Sequence, residues 1–192
     1  MNLIHGQRSA LLVLDMQGAV LERNRTQPEM VSRMKWALET ARAWELQVVF
    51  AKVAFREGHP EIDPHNYRFS ELASAGMLIE GDSATDIVAE LAPDPTEPVV
   101  TKRRVSAFVG SDLEVILRAR GITTLVLTGV STSGVVLFTF ADAVDRDFEV
   151  VVLCDGCSDS DSQAHRLAME YIFPRHGNVM TIAEWVSWTI QH

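Results

Sequence analysis

Continuous runs of apolar residues, rather than alternating ones, mark the strand candidates along the chain. Four are clear: residues 10–15 (ALLVLD), 46–55 (LQVVFAKVAF), 124–130 (TLVLTGV) and 148–155 (FEVVVLCD). A weaker fifth run, EPVVTK, covers residues 97–102. Strands that are apolar on both sides are typical of a parallel sheet with helices on both faces. The pattern therefore predicts a buried parallel sheet.

Between these runs, the apolar residues recur with the period of a helix. Residues 111–121 begin with a Ser-x-x-Glu capping box and end at Gly121, and residues 135–147 and 161–173 have the same period. Alternating strands and helices predict a three-layer, doubly wound α/β fold, whose ligands collect outside the carboxyl ends of the strands. The helix at residues 28–44 is expected to bury one face, consisting of Met30, Met34, Ala37, Leu38 and Ala41.

Residues 56–96 interrupt the alternation, because they are loop-rich and contain several prolines. We interpret residues 1–192 as a single domain that carries this segment as an insertion. A lid over the sheet edge or a subunit contact is one interpretation, and a plain surface excursion is the other.

Composition narrows the classes of partner. The chain has 192 residues and a net charge of −9, and its one basic cluster, Lys102–Arg104, is too short for a nucleic-acid interface. No apolar run approaches the ~18 residues of a membrane span, and residues 10–14 are too few for a signal peptide. Two cysteines, taken as reduced thiols, predict a cytoplasmic protein.

The strand ends bring candidate chemistry together. Asp15, Lys102, the turn at residues 129–135 and Asp155 each follow a strand candidate. Burial would raise the pKa of Asp15 and a nearby lysine would lower it, so the two side chains would form a proton donor or acceptor beside a fixed positive charge. The alternatives remain a helix N-cap for Asp15 and a solvated lysine at position 102.

The turn at residues 131–134, STSG, offers hydroxyls but no base. Ser131, Thr132 and Ser133 therefore favour capping of a helix that starts near Ser133, although backbone N–H groups there could also hold an anion. Cys154 and Cys157 are interpreted as core thiols. A metal site at His59, Asp63 and His65 is disfavoured, because no fourth ligand is obvious.

An ordered set of motifs carries a resemblance to a known family. D-M-Q at 15–17, K-x-x-x-S-A-F at 102–108 and T-G-V at 128–130 resemble the isochorismatase-like hydrolase superfamily, as do residues 55–61 and 164–173. The resemblance implies a six-stranded parallel sheet, a homodimer or homotetramer, and a cis peptide at Val130–Ser131. It also implies that Asp15 is the catalytic acid or base and that Lys102 is its partner.

One position departs from the amidase branch of that family. Those members have a nucleophilic Cys six residues after the Gly of T-G-V, and here that position is Val135. The metal-binding pattern of the nicotinamidases is absent too, so no metal or cofactor is expected. The isochorismatases proper need no such Cys, and their motif K-x-R-Y-S-A-F resembles KRRVSAF at residues 102–108.

This resemblance implies hydrolysis of isochorismate or a related enol ether, with Asp15 as proton donor to a small anionic substrate. Two alternatives stay open: a catalytically silent member that binds a small anion or serves in assembly, and an amide or ester hydrolase with a Ser nucleophile. Arg104 is expected to bind a substrate carboxylate and Gln17 a hydroxyl or water. Ser131 stands where isochorismatases commonly have an aromatic residue, which implies a wider or more polar pocket. The complete set of expected substrate-binding residues is Gln17, Arg104, Phe108, Ser131, Thr132, Gly134 and Val135.

Overall fold

The apolar runs form one parallel sheet in the computed structural model, which describes residues 8–191 and side chains up to Trp188. The signal-peptide prediction rests partly on residues 1–7, which lie outside the described residues. The strand order is β3-β2-β1-β4-β5-β6, so the order reverses between β1 and β4 at the centre of the sheet. The six strands are β1 (Ser9–Leu14), β2 (Gln47–Val53), β3 (Val99–Lys102), β4 (Thr124–Val130), β5 (Glu149–Ser158) and β6 (Asn178–Met180).

Helices cover both faces of the sheet, which confirms the three-layer prediction. The predicted face of the second helix is buried against one side, together with Trp185 of the last helix. The opposite side packs against the fourth and fifth helices and residues 168–173. The helices are α1 (Gly18–Arg23), α2 (Pro28–Ala43), α3 (Ser70–Ser74), α4 (Leu113–Ala119), α5 (Leu137–Val144), α6 (Ser162–Leu167) and α7 (Ile182–Gln191).

Some helix ends differ from the sequence expectation. The capping box at the start of α4 does not form, because the helix begins at Leu113 and the Glu114 carboxylate pairs with Arg146 at 3.1 Å. The helix predicted over 161–173 is α6, capped by the Asp161 carboxylate and continued by a π-helical turn over Ala168–Ile172. None of the described helices has the length and apolarity of a membrane span.

Strand β5 is longer than its apolar run suggested. It continues to Ser158, so Cys154 and Cys157 lie within the strand rather than in a turn after it. The Asp155 carboxylate accepts a hydrogen bond from the Ile182 N–H at 2.8 Å, which ties β5 to α7. Asp155 therefore does not join the residues at the strand ends, as the sequence had led us to expect.

Residues between β2 and β3 form turns and short helices that fold back over the sheet edge. Phe55 and Leu78 pair through a backbone hydrogen bond of 2.8 Å, and Glu80 returns a second one to Phe55 at 2.8 Å. Phe55, Phe69, Leu72 and Leu78 then share a small buried cluster with Val53 at the end of β2. This covering segment lies next to the carboxyl end of the sheet.

Close contact between β1 and β4 depends on Gly129. Its φ is +133°, and a Cβ built there would lie 2.1 Å from the Leu14 carbonyl oxygen. Leu14 and Gly129 are register partners, and Asp15 follows directly after Leu14. A residue without a side chain is therefore required beside Asp15.

We predict that Gly129→Ala lowers the free energy of unfolding by about 3 kcal/mol or more, because both the backbone conformation and the space oppose a methyl group. Gly121→Ala is the matched control: its φ is +65° and nothing lies within 4 Å of the added Cβ. We expect the control to cost only about 1 kcal/mol. Urea unfolding of both variants measures the difference, and equal losses would contradict a steric role for Gly129.

Candidate functional site

An ion pair between Asp15 and Lys102 lies where the strand order reverses. Asp15 follows β1 and Lys102 ends β3, and the Lys102 Nζ lies 2.9 Å from the Asp15 Oδ2. Both side chains are buried, with 7% of Asp15 and 2% of Lys102 exposed. Crevices at such a switch point are the usual ligand sites of open parallel sheets.

The backbone at Asp15 leaves the strand conformation abruptly. Its φ is +52°, a left-handed conformation that Asp adopts more readily than most residues. The Asp15 N–H still donates to Ala51 of β2 at 2.8 Å, and α1 begins only at Gly18 with Gln17 at its N-cap. Asp15 is therefore not a helix cap, which was the alternative interpretation.

Burial has the largest effect on the pKa of the Asp15 carboxyl. Its desolvation raises the pKa of Asp15, and the opposing effects of Lys102 and, more weakly, Arg68 are smaller. The Oδ1 atom is buried without a hydrogen-bond partner among the described residues, while Oδ2 contacts Lys102. The carboxyl group thus favours a proton more than an ordinary aspartic acid does, and Oδ1 is the oxygen left to carry it.

Lys102 is held by the loop that follows it. Its Nζ donates to the Arg104 carbonyl oxygen at 3.0 Å as well as to Asp15, which uses two of its three donors. The ammonium group is therefore fixed beside the carboxyl rather than solvated at the strand end.

A cavity opens onto this pair, and we call it the Asp15 cavity. Its other walls are mostly apolar side chains of the segment between β2 and β3 and of α1. Its lining residues include Asp15, Lys102, Arg68, Leu72, Ser131 and Val135.

A second, more polar cavity adjoins the first, and we call it the Ser133 cavity. It shares Arg23, Arg68 and Ser131 with the Asp15 cavity and adds Ser133 and Asp159. Arg68 is the cation that sequence analysis missed. The signal available was a basic residue beside Tyr67 and Phe69 in a segment already suspected of covering the site.

Val135 stands in the Asp15 cavity wall, 3% exposed. The resemblance implies that amidases hold their nucleophilic Cys at this position, and here it contributes an isopropyl group to the cavity that Asp15 and Lys102 also line. Ser131 lines both cavities, and the Val130–Ser131 peptide bond is cis. Gly134 lines the Ser133 cavity, and a Cβ there would lie 2.4 Å from the Ser131 hydroxyl oxygen.

The hydroxyls of the turn do not cap the helix that follows. The Ser133 N–H and hydroxyl both donate to the Asp159 carboxylate at 2.7 Å, and Thr132 shares a 2.8 Å hydrogen bond with His165 Nδ1. Burial lowers the pKa of His165, which keeps its ring neutral near pH 7. The turn is therefore fixed by the loop and helix after β5, and Thr132, fully buried, lines neither cavity.

Gln17 has a structural role that the sequence did not reveal. Its side-chain amide donates to the carbonyl oxygens of Val53 and Thr85, both at 2.9 Å, and accepts from the Val53 N–H at 2.8 Å. These contacts join the end of β2 to the covering segment. Backbone groups occupy the Gln17 amide and Gln17 lines neither cavity, so that it holds a hydroxyl or water of the substrate stays a prediction.

Arg104 and Phe108 also lie outside both cavities. The Arg104 Nη1 donates to the Arg103 carbonyl oxygen at 2.7 Å, and the Phe108 ring packs against Phe148 with 6.0 Å between centroids. That Arg104 binds a substrate carboxylate stays a prediction, and the guanidinium group that lines both cavities from the covering segment is that of Arg68.

Neither cysteine belongs to the site. Cys157 is buried and Cys154 half-buried, and burial raises the pKa of both thiols. His59 contacts the Met77 carbonyl oxygen at 2.8 Å, whereas His65 pairs with Asp63. Across residues 8–191, no group of three His, Cys, Asp or Glu residues is arranged to hold a metal ion.

The family follows from these features and from sequence comparison. A parallel α/β domain with a buried acid and lysine at its switch point has the arrangement of a small-molecule site. Residues 9–184 match the family described as the Isochorismatase domain. The chain belongs to the isochorismatase family of hydrolases.

Known relatives span different activities. The chain is 32% identical to the ureidoacrylate amidohydrolase RutB of Stutzerimonas stutzeri, over 93% of this chain and 79% of the relative. It is 39% identical to the phenazine biosynthesis protein PhzD1 of Pseudomonas aeruginosa, over 52% of this chain and 48% of the relative. An isochorismatase family protein of Burkholderia thailandensis superposes with a TM-score of 0.83 at 28% identity, covering 97% of each chain.

We predict that Gln17→Ala lowers the free energy of unfolding by about 2–4 kcal/mol, because it leaves buried backbone groups of Val53 and Thr85 unpaired. The exposed Gln27 makes one longer contact, 3.3 Å to the Arg25 carbonyl oxygen, so Gln27→Ala should change stability by less than about 0.5 kcal/mol. Chemical denaturation compares the two variants. A similar small effect in both would show that the Gln17 contacts add no stability.

Proposed function

We propose that the protein hydrolyses an enol ether, isochorismate or a related compound, without a cysteine nucleophile. The observation that carries the proposal is the buried Asp15 carboxyl, which has a raised pKa, one oxygen without a partner among the described residues, and a place in the cavity that Val135 also lines. Such a carboxyl is suited to donating a proton in a dry site.

The first step is proton transfer from the Asp15 carboxyl group to the methylene carbon of the enol ether. The double bond supplies the electrons of the new C–H bond, and the positive charge is shared between the adjacent carbon and the ether oxygen as an oxocarbenium ion. Asp15 is left as a carboxylate, and the ammonium group of Lys102 at 2.9 Å stabilises that charge.

Water completes the reaction. It adds to the oxocarbenium carbon and returns one proton to Asp15, which restores the acid. The resulting hemiketal breaks its C–O bond to the alcohol portion, and that oxygen takes up the hydroxyl proton. The products are pyruvate and an alcohol, so one water is consumed and no covalent intermediate with the protein is formed.

Substrate charge is matched by the cations around the cavities. Arg68 lines both of them, and Arg23 at the end of α1 lies beside it. A carboxylate on the substrate would be attracted to these guanidinium groups while the apolar walls enclose the unsaturated carbon. Ser131 lines both cavities, and its side chain is smaller than an aromatic one, so it leaves more space where the two cavities adjoin.

An assay of pyruvate release from isochorismate tests the proposal. Asp15→Asn should lower kcat by about 10²- to 10⁴-fold, because the amide cannot donate the proton. Equal rates in wild type and variant would rule the mechanism out. Substrate binding without turnover in wild type would favour a silent member of the family, and release of ammonia from ureidoacrylate would favour an amidase.

The Asp15→Asn variant needs a control for folding, since it leaves Lys102 buried without its counter-ion. Replacing both partners, as in Asp15→Asn with Lys102→Met, removes the unpaired charge, keeps a side chain that tolerates the left-handed backbone at residue 15, and should restore stability. The double variant should fold and remain inactive. Recovery of activity with stability would mean that the pair is needed only for folding.

The pH dependence has a definite sign. Because burial raises the pKa of Asp15, the acid form persists to higher pH than an ordinary aspartic acid allows. We expect kcat/KM to stay constant at pH values below this raised pKa and to fall tenfold per pH unit above it. A rate profile across pH, with stability checked at each value, measures it. An activity that instead increases with pH through this range would indicate a carboxylate base.

A further inference from the structure

Arg103, the residue directly after Lys102, binds the segment that covers the Asp15 cavity. Its Nη1 donates to the Ala54 carbonyl oxygen, its Nη2 pairs with Glu80 at 2.6 Å, and its Nε lies 3.5 Å from Glu61. Only 15% of the Arg103 side chain is exposed. One guanidinium group therefore reaches three points of the covering segment at once.

Two of these contacts, Ala54 and Glu61, precede the part of the segment that closes the cavity, and the third, Glu80, lies at its end. We call residues 69–80 the roof, because Phe69, Leu72, Met77 and Leu78 line the Asp15 cavity. Glu80 is the last residue of the roof. Its N–H donates to the Phe55 carbonyl oxygen at 2.8 Å, one residue after Ala54. Arg103 thus joins Glu80 to Ala54, the residue before Phe55, beside the backbone contact on which the roof rests.

We propose that Arg103 is a positioning residue, which holds the roof closed over Asp15 by joining Ala54, Glu61 and Glu80 to the loop after β3. The consequence for Asp15 is chemical rather than only structural. Burial is the main reason that the pKa of Asp15 is raised, and the roof supplies a large part of the apolar wall that buries it. Its effect on turnover rests on the proposed function, whereas its effect on the protonation of Asp15 does not.

A similar ion pair elsewhere in the chain provides the matched control. Arg42 forms two hydrogen bonds with Glu97, at 2.9 and 2.7 Å, and donates to the Ala92 carbonyl oxygen at 3.0 Å. The Arg42 side chain is 29% exposed and lines neither cavity. Loss of the Arg42–Glu97 pair should lower the free energy of unfolding without increasing the solvent exposure of Asp15.

The experiment compares Arg103→Met with Arg42→Met by two measurements that need no substrate. Infrared titration follows the protonated carboxyl group that disappears in Asp15→Asn, and hydrogen exchange follows the amides of Phe55 and Glu80. In Arg103→Met we expect the Asp15 titration to move to lower pH and exchange at the two amides to become roughly tenfold faster. In Arg42→Met neither should change.

Glu80→Gln keeps the experiment decisive if Arg103→Met does not fold, because it weakens one of the three contacts and leaves the guanidinium in place. It should move the Asp15 titration in the same direction by a smaller amount. An unchanged titration in both the Arg103 and Glu80 variants would overturn the proposal, as would an equal shift in Arg42→Met.

The kinetic readout separates this inference from the proposed function. If wild type cleaves the enol ether, Arg103→Met should shift the falling limb of the pH profile to lower pH, with kcat reduced more than KM is raised. If wild type releases no pyruvate while the infrared and exchange results hold, Arg103 positions the roof in a protein with another activity.

Discussion

The interaction on which this structure depends is the contact of a carboxyl with an ammonium group inside the protein, where both side chains are almost fully buried. Removing two charges from water is costly, and a single remaining partner would be worse than none. The fold meets that cost by several means. Strands β1 and β3 bring the pair together from two separate positions in the sheet, and the Arg104 carbonyl accepts a second hydrogen bond from Lys102. Burial raises the pKa of this carboxyl above that of an ordinary surface aspartate, and one of its oxygens has no hydrogen-bond partner among the described residues.

The covering segment turns this pair into a site. Gln17 ties it to the end of β2 through Thr85, and Arg103 ties it to the end of β3 through Glu80. Both anchors are close in sequence to the buried pair, since Gln17 lies two residues after Asp15 and Arg103 lies one residue after Lys102. The chain therefore links the placement of the acid to the closure of its surroundings. A loop fastened only at its own ends would leave water free to enter and weaken the proton affinity of the carboxyl.

Sequence patterns predicted the sheet well and the contacts of the site only in part. Apolar runs located five strands, and the helical period identified the buried face of α2. The apolar pattern did not predict strand β6, because its three residues, Asn178–Met180, are too few to form a recognisable apolar run. The pairing of Asp15 with Lys102 follows from parallel strand ends. Gln17, Arg104 and Phe108 were assigned to substrate because a motif names residues without showing which way they face. Arg68 was missed because loop conformation depends on contacts between distant residues, such as Phe55 with Leu78.

The left-handed backbone at Asp15 limits which residues can replace it at this position. At φ +52°, a side chain without a short polar group to bond locally adds about 1–2 kcal/mol of strain. Glutamate, the only other acid, would pay that penalty and extend one carbon further into a closed space. Asparagine and glycine are tolerated by the backbone but abolish the acidity. No single replacement at this position therefore preserves the backbone conformation, the acidity and the counter-ion of Lys102 together, so the demands of conformation and of charge pairing act here on one codon.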